Sequence, residues 1–285
     1  MRSIFKQKLL VIAIFCSATG NVSAEGIIDI RPSVGVDTSY DDNVFRFSNP
    51  EQAKAIFGSS VTSDTILRTE LGLDVDLRLS RQLISLTSNI NKSEYNRFDQ
   101  LNNVGKSFGL VWDWQLGNHL YGEIGVSDSE ALSGFNDLRT TSANIRTDKQ
   151  RFARANWRLH PSWIANISAT TSTTENSLDI LNFLNNDNEA FEAGIQYINP
   201  RGTQLSLAYR NSTRFYTNNT IDRQVFFGDE NTKNEVILNA SWEPTTKIRL
   251  STRLAQVNLT YNNLEFSDVL PERAFSGLNK RLSIN

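Results

Sequence analysis

The sequence predicts an all-β fold, an antiparallel up-and-down transmembrane β-barrel of about 12 strands, and three observations point to it. The first is a repeat of short turn clusters: Ser80-Arg81-Gln82, Leu116-Gly117-Asn118-His119, His160-Pro161-Ser162, Asn199-Pro200-Arg201-Gly202 and Glu243-Pro244-Thr245-Thr246. Their centres, at positions 81, 117, 161, 200 and 244, stand 36, 44, 39 and 44 residues apart, the period of a long hairpin. The second is an alternation of apolar and polar residues between the turns, a period of two that belongs to strands. The third is tryptophan placement, since all five tryptophans lie within about five residues of a short turn.

Residues 1–24 read as a signal peptide, leaving residues 25–285 as the exported barrel. Arg2, Lys6 and Lys8 form a basic start, Leu9 to Phe15 an apolar core, and Val22-Ser23-Ala24 the small residues a signal peptidase reads. That apolar run is far shorter than the roughly 20 residues of a spanning helix, so no helical anchor is expected. Cys16 is the sole cysteine, with bulky Ile14 and Phe15 where a lipoprotein signal needs small residues. It is expected to leave with the signal, so neither disulfides nor thiolate metal sites are expected. Without the three basic residues of the signal, 26 basic residues face 31 acidic ones, a balance of −5. A dedicated nucleic-acid binder would carry a basic face instead, so nucleic acid is not an expected partner. The mean hydropathy of −0.37 suits a wall that is oily on one side and wet on the other.

The strands follow in order. Ile30, Val34, Val36, Thr38 and Tyr40 alternate with Arg31, Ser33, Gly35, Asp37 and Ser39. From Ile66 to Leu79 the odd positions are nearly all apolar, and no helical i, i+3, i+4, i+7 pattern competes. Ile84, Leu86 and Ile90 leave the first turn; Phe108, Leu110, Trp112, Trp114 and Leu116 enter the second, and Leu120, Ile124 and Val126 leave it. Ala153, Ala155, Trp157 and Leu159 precede the third turn, with Trp163, Ala165, Ile167 and Ala169 beyond. Phe191, Ala193, Ile195 and Tyr197 meet the fourth, followed by Leu205, Leu207 and Tyr209. Val236, Leu238, Ala240 and Trp242 meet the fifth, followed by Ile248, Leu250, Thr252 and Leu254, and a twelfth strand starts near Phe275.

Long polar linkers are expected over residues 42–63, 93–103, 128–149, 173–188, 211–232 and 258–272, with Leu184–Asn188 and Tyr216–Thr220 as solvated loop. Short turns on one side and long loops on the other are the layout of outer-membrane barrels. Trp112, Trp114, Trp157, Trp163, Tyr197 and Trp242 then form a periplasmic aromatic girdle, because an indole pairs an apolar body with one N–H donor.

Several segments resemble the EpsL-type outer-membrane proteins of bacterial exopolysaccharide operons, classed with β-barrel porins. They are Tyr40-Asp41-Asp42-Asn43-Val44-Phe45-Arg46, Ser63-Asp64, Leu79-Ser80-Arg81-Gln82, Tyr95-Asn96-Arg97-Phe98, Trp112 to Asn118 and Asn156 to Trp163. The resemblance implies an outer-membrane location and a part in synthesis or export of an extracellular polysaccharide, with outer-membrane lipid, the polymer and periplasmic export components as partners. Proteins of this kind are longer and end on an aromatic strand terminus, whereas this chain ends Lys280-Arg281-Leu282-Ser283-Ile284-Asn285. The turn period places a sixth turn near residue 285, so the barrel is expected to be truncated at its C-terminus.

No catalytic, cofactor or metal site is expected. His119 and His160 both fall in turns, far from the three or four clustered ligands zinc needs. Asp41-Asp42-Asn43 offers oxygen ligands for calcium, but such clusters more often turn the chain through side-chain bonds to nearby backbone. The informative set is the polar face. If the apolar face meets lipid, Arg68, Glu70, Asp74, Asp76, Arg78, Glu123, Arg154, Arg158, Glu192, Arg210, Glu235, Arg249 and Arg253 line the lumen. Charge on the lipid face would cost about 2–4 kcal/mol at mid-bilayer. The first functional expectation is a passive channel whose polar lumen lets a hydrated polymer slide. The competing one is a non-conducting barrel that anchors polysaccharide machinery or displays adhesive loops. Oligomeric state stays open.

Overall fold

The computed structural model describes residues 11–14, 28–135, 141–200, 202–216, 230–245, 248–262 and 274–284. Its strands are β1 (Val11–Ile14), β2 (Ile28–Asp41), β3 (Asp64–Leu79), β4 (Gln82–Tyr95), β5 (Asn103–Leu116), β6 (Leu120–Leu132) and β7 (Ile145–His160). They continue with β8 (Trp163–Asn176), β9 (Asn186–Ile198), β10 (Gln204–Tyr216), β11 (Glu230–Thr245), β12 (Ile248–Asn262) and β13 (Ala274–Ile284). All belong to one antiparallel sheet in which neighbours in sequence are neighbours in space. Among the described residues no pairing returns from β13 to β2, so the sheet is open. Val11–Ile14, read above as part of a signal core, pairs with Val36–Ser39 of β2.

Strands β2–β12 are longer than the sequence reading placed them. β4 runs to Tyr95, β6 to Leu132, β8 to Asn176 and β10 to Tyr216, all within the expected linkers. Their last residues are polar on both faces, so alternation fades, yet threonine runs such as Thr170–Thr174 remain strand-competent through their β-branched side chains. Among the described residues, the connections after β4 and β8 are shorter than expected, and the one after β2 is more ordered. There Asn49 accepts the Gln52 N–H, Pro50 opens and Gly58 closes helix α1 (Pro50–Phe57), a capped start and stop within a segment read as polar linker. Asn185 is likewise not solvated loop: it is buried and accepts the Asn176 N–H at 2.7 Å. Tyr216 ends β10, and residues 217–220 of the second Asn-rich stretch lie outside the described residues.

The chain divides into two compact units. The first comprises Met1–Leu77, Ser85–Gly109 and Asp128–Thr147. In it, β2 and β3 pair Ile30 with Val75, Val34 with Leu71 and Thr38 with Leu67, and the residues between pair Asp29 with Asp76 and Gly35 with Glu70. One face is therefore apolar and exposed, the other polar. Its buried apolar residues sit in the connections: Val44 and Phe45 after β2, Phe98 and Leu101 after β4, and Phe135 after β6. A single-layer sheet offers its own side chains no partner layer, so the packed core forms where three connections meet.

The second unit comprises Arg78–Ile84, Leu110–Ser127 and Asp148–Asn285 and holds the short turns with all five tryptophans. Register again separates the faces, pairing Trp163 with Tyr197, Ile195 with Leu207, Leu207 with Leu238 and Trp242 with Leu250. Trp112, Trp157, Trp163 and Trp242 are exposed on the apolar face, Trp157 at 56 %. Trp114 is only partly exposed. Its ring lies over Gly122, where an added Cβ would be 2.6 Å from the indole and would collide with the Arg154 carbonyl. Its indole N–H has no protein partner among the described residues.

Candidate functional site

Two sets of residues quoted from separate parts of the sequence meet in the fold, one in each unit. In the first unit, Asp41 accepts the Asn43 N–H at 2.9 Å and both arms of Arg46 at 2.7 and 2.8 Å. These bonds hold the Arg46 guanidinium charged above the ordinary arginine range, against the opposing effect of its partial burial. The Asn43 side chain donates to the Phe47 carbonyl and accepts its N–H, at 2.8 and 3.0 Å, and Arg46 adopts a positive φ of 57°. This braced turn delivers Val44 and Phe45 into the core. The acidic cluster thus serves the turn chemistry weighed above against calcium.

Asp64, only 3 % exposed, anchors the next connection. Its carboxylate accepts the backbone N–H groups of Thr65, Arg97 and Phe98, at 2.7, 3.0 and 2.9 Å. Arg97 in turn donates to the Ser63 carbonyl at 2.6 Å. Phe45 then meets Phe98, Phe135 and Phe57 at ring-centroid distances of 4.9, 5.0 and 5.1 Å. Asn144 ties the third connection by donating to the Ser133 hydroxyl at 2.9 Å.

Under this cap, on the polar face, lies a cavity of about 230 Å³. Arg68 from β3, Asn91, Ser93 and Tyr95 from β4, Asn103 from β5 and the Asp41–Arg46 pair supply its polar wall. Of these, Arg68 was singled out from the sequence as a lumen residue and Asp41 as part of the acidic cluster weighed for calcium. Arg46 and Tyr95 stood in the quoted segments, but nothing in the sequence shows that their two connections share a floor.

Along the rest of the first unit's polar face, Arg31 bonds Asp76 at 2.9 Å and also Asp29, Ser85 donates to Asp76 at 2.6 Å, and Asn89 donates to Glu70. Asp74 is the register partner of Arg31. Arg68, Glu70, Asp74 and Asp76 therefore share one face.

In the second unit the polar face is laddered. Glu123 pairs with Arg154 at 2.9 Å, and Arg158 stands over the Tyr121 ring at 5.7 Å. Register sets Ser168, Glu192, Arg210 and Glu235 in one cross-strand row, with Lys233 on Glu235 at 2.9 Å. Beyond a row of Gly194, Ala208, Ile237 and Ala255, the next carries Gln196, Ser206, Asn239 and Arg253, and Asn239 donates to Ser206 at 3.1 Å. Arg249 bonds Glu243. Arg78 sits at the even, polar-face parity of β3, beside the first turn. Three of the acids are ion-paired, Glu123, Glu235 and Glu243, and the charges keep the face hydrated.

The second motif cluster joins the turns. Arg81 donates to the Gly117 carbonyl at 2.6 Å and to Asn118 at 2.8 Å, and Gln82 donates to the Gln115 carbonyl at 2.9 Å. The Trp112 indole donates to Gln82 at 3.0 Å, and the Arg158 N–H to the His119 carbonyl at 2.7 Å. His119 lies in a turn and His160 ends β7, its ring accepting the Ser162 N–H at 3.2 Å. Among the described residues no helix is long and apolar enough to cross a membrane, which leaves crossing by strands untouched. Neither a family model nor a curated protein matches the chain.

Proposed function

We propose that the chain builds the wall of an outer-membrane β-barrel whose polar face lines a passage for a hydrated polymer, an extracellular polysaccharide. One observation carries this reading: along strands of 13 to 16 residues, one face is apolar, exposed and edged with tryptophan at the short turns, while the other is laddered with paired charges and amides. Such strands outrun the roughly 9–11 residues needed to cross a bilayer at a tilt. An apolar face this extensive needs a cover, and lipid is the cover that tolerates indoles at its edge. In lipid each unpaired backbone group costs several kcal/mol, so the backbone groups left unpaired at the two edges of the sheet pair there with one another or with further strands. The polysaccharide rests on the sequence resemblance and on a polar face rich in amides and hydroxyls.

Single-channel recording of the refolded protein in planar bilayers tests this. Ohmic conductance is the expected result. A protein that inserts yet passes no ions returns the reading to the anchoring barrel.

A further inference from the structure

We infer that the cavity under the three packed connections is a binding subsite for an anionic sugar, a carboxylate-bearing pyranose unit of the polymer. The inference rests on the proposed polysaccharide reading for its ligand class and on the first unit's geometry for its place. About 230 Å³ gives room for a single pyranose ring with its substituents, not for an extended chain. The wall offers what sugar recognition uses: amides at Asn91 and Asn103, hydroxyls at Ser93 and Tyr95, and an aromatic edge at Tyr95, which packs against the phenylalanine cluster.

Charge selects among sugars. The cavity wall carries two guanidinium groups, Arg46 and Arg68, and one carboxylate, Asp41. Asp41 is already taken by both arms of Arg46. Arg68 is exposed on the polar face; Asp37 of β2 is its register partner, yet Arg68 makes no ion pair among the described residues, unlike Arg31 and Arg154. A planar fork left over in a cavity is the natural partner of a carboxylate, which it binds with two parallel N–H donors.

The site is also held ready. Asp64 fixes the second connection by accepting the Arg97 and Phe98 N–H groups, the Asp41–Arg46 clasp fixes the first, and Asn144 the third. Gly105 leaves room for the Asn91 amide, because a Cβ there would lie 2.9 Å from the amide nitrogen and displace it. A subsite built before its ligand arrives loses little ordering entropy on binding. Placed where three connections close over the polar face, it would sort an acidic polymer from a neutral one.

The test is isothermal titration of the refolded full chain in detergent with tetragalacturonate, with maltotetraose as the uncharged probe. The tetragalacturonate should bind, more weakly as salt rises, and maltotetraose should bind far less. Arg68→Gln should weaken tetragalacturonate about ten- to a hundredfold, and Lys54→Gln, which removes the same charge from α1 outside the cavity, should leave it unchanged. Equal binding of both sugars, no binding, or indifference to Arg68→Gln overturns the subsite. Conductance separates the two claims: a conducting barrel with no uronate binding keeps the passage and loses the subsite. A silent barrel that binds uronate through Arg68 does the reverse.

Discussion

Replacing Phe45 with alanine removes the ring around which the three connections are packed. Phe45 is 3 % exposed and has four phenylalanine neighbours, with centroids at 4.9, 5.0, 5.1 and 5.8 Å. A buried Phe→Ala change costs about 3–5 kcal/mol, and each aromatic pair adds its own share to that figure. The loss falls on the connections, because Phe45 belongs to no strand. At about 1.4 kcal/mol per tenfold, the cluster should open roughly a hundred to several thousand times more often, up to the limit set by its own stability. Hydrogen exchange reads this at the Arg97 and Phe98 amides, which Asp64 holds, and at the Val44 amide, which donates to the Thr62 carbonyl at 3.0 Å. These should exchange faster in Phe45→Ala, while amides in the paired rows of β9 and β10 keep their wild-type rates. Unchanged exchange in the connections would show that hydrogen bonds alone hold them. Equal acceleration in β9 and β10 would show that the cap and sheet are one cooperative unit.

Other consequences follow from single residues. Asp64→Asn keeps the shape but leaves one oxygen for three N–H donors, so the second connection should lose about 1.5–3 kcal/mol, read as faster exchange at Arg97 and Phe98. Gly122→Ala should destabilise the fold by about 1–3 kcal/mol, read as a lower urea midpoint, since its Cβ meets the Arg154 carbonyl and the Trp114 ring. Gly35→Ala, whose nearest contact would be an ordinary 3.7 Å to Glu70, should be tolerated; equal effects would refute the close-approach argument. Ser80 holds a φ of 58° in the first turn, so Ser80→Gly should raise the urea midpoint. There the relief of about 1–2 kcal/mol outweighs glycine's added unfolded-state freedom of about 0.5–1 kcal/mol.

The two faces were legible in the sequence because a strand's side chains alternate by geometry alone. Once Leu67, Leu71 and Leu73 are read as one face, Arg68, Glu70 and Asp74 must share the other. Turns were legible for a similar reason, since Pro161, Gly117 and Gly202 act on their own backbone. Strand ends were not, because Thr170–Thr174 is polar throughout and strand-competent throughout.

The sequence by itself determined the class of fold, the short turns and which charges share a face, all through interactions spanning a few residues. Only the tertiary structure decided that the Asp41–Arg46 turn, Asp64 with Arg97, and Phe135 belong to one cap. Those residues are tens of positions apart and meet because successive hairpins return every second connection to the same end of the sheet. The cavity depends on that convergence. Arg68 reads as one charge among many along β3 until the folded connections make it part of a cavity wall.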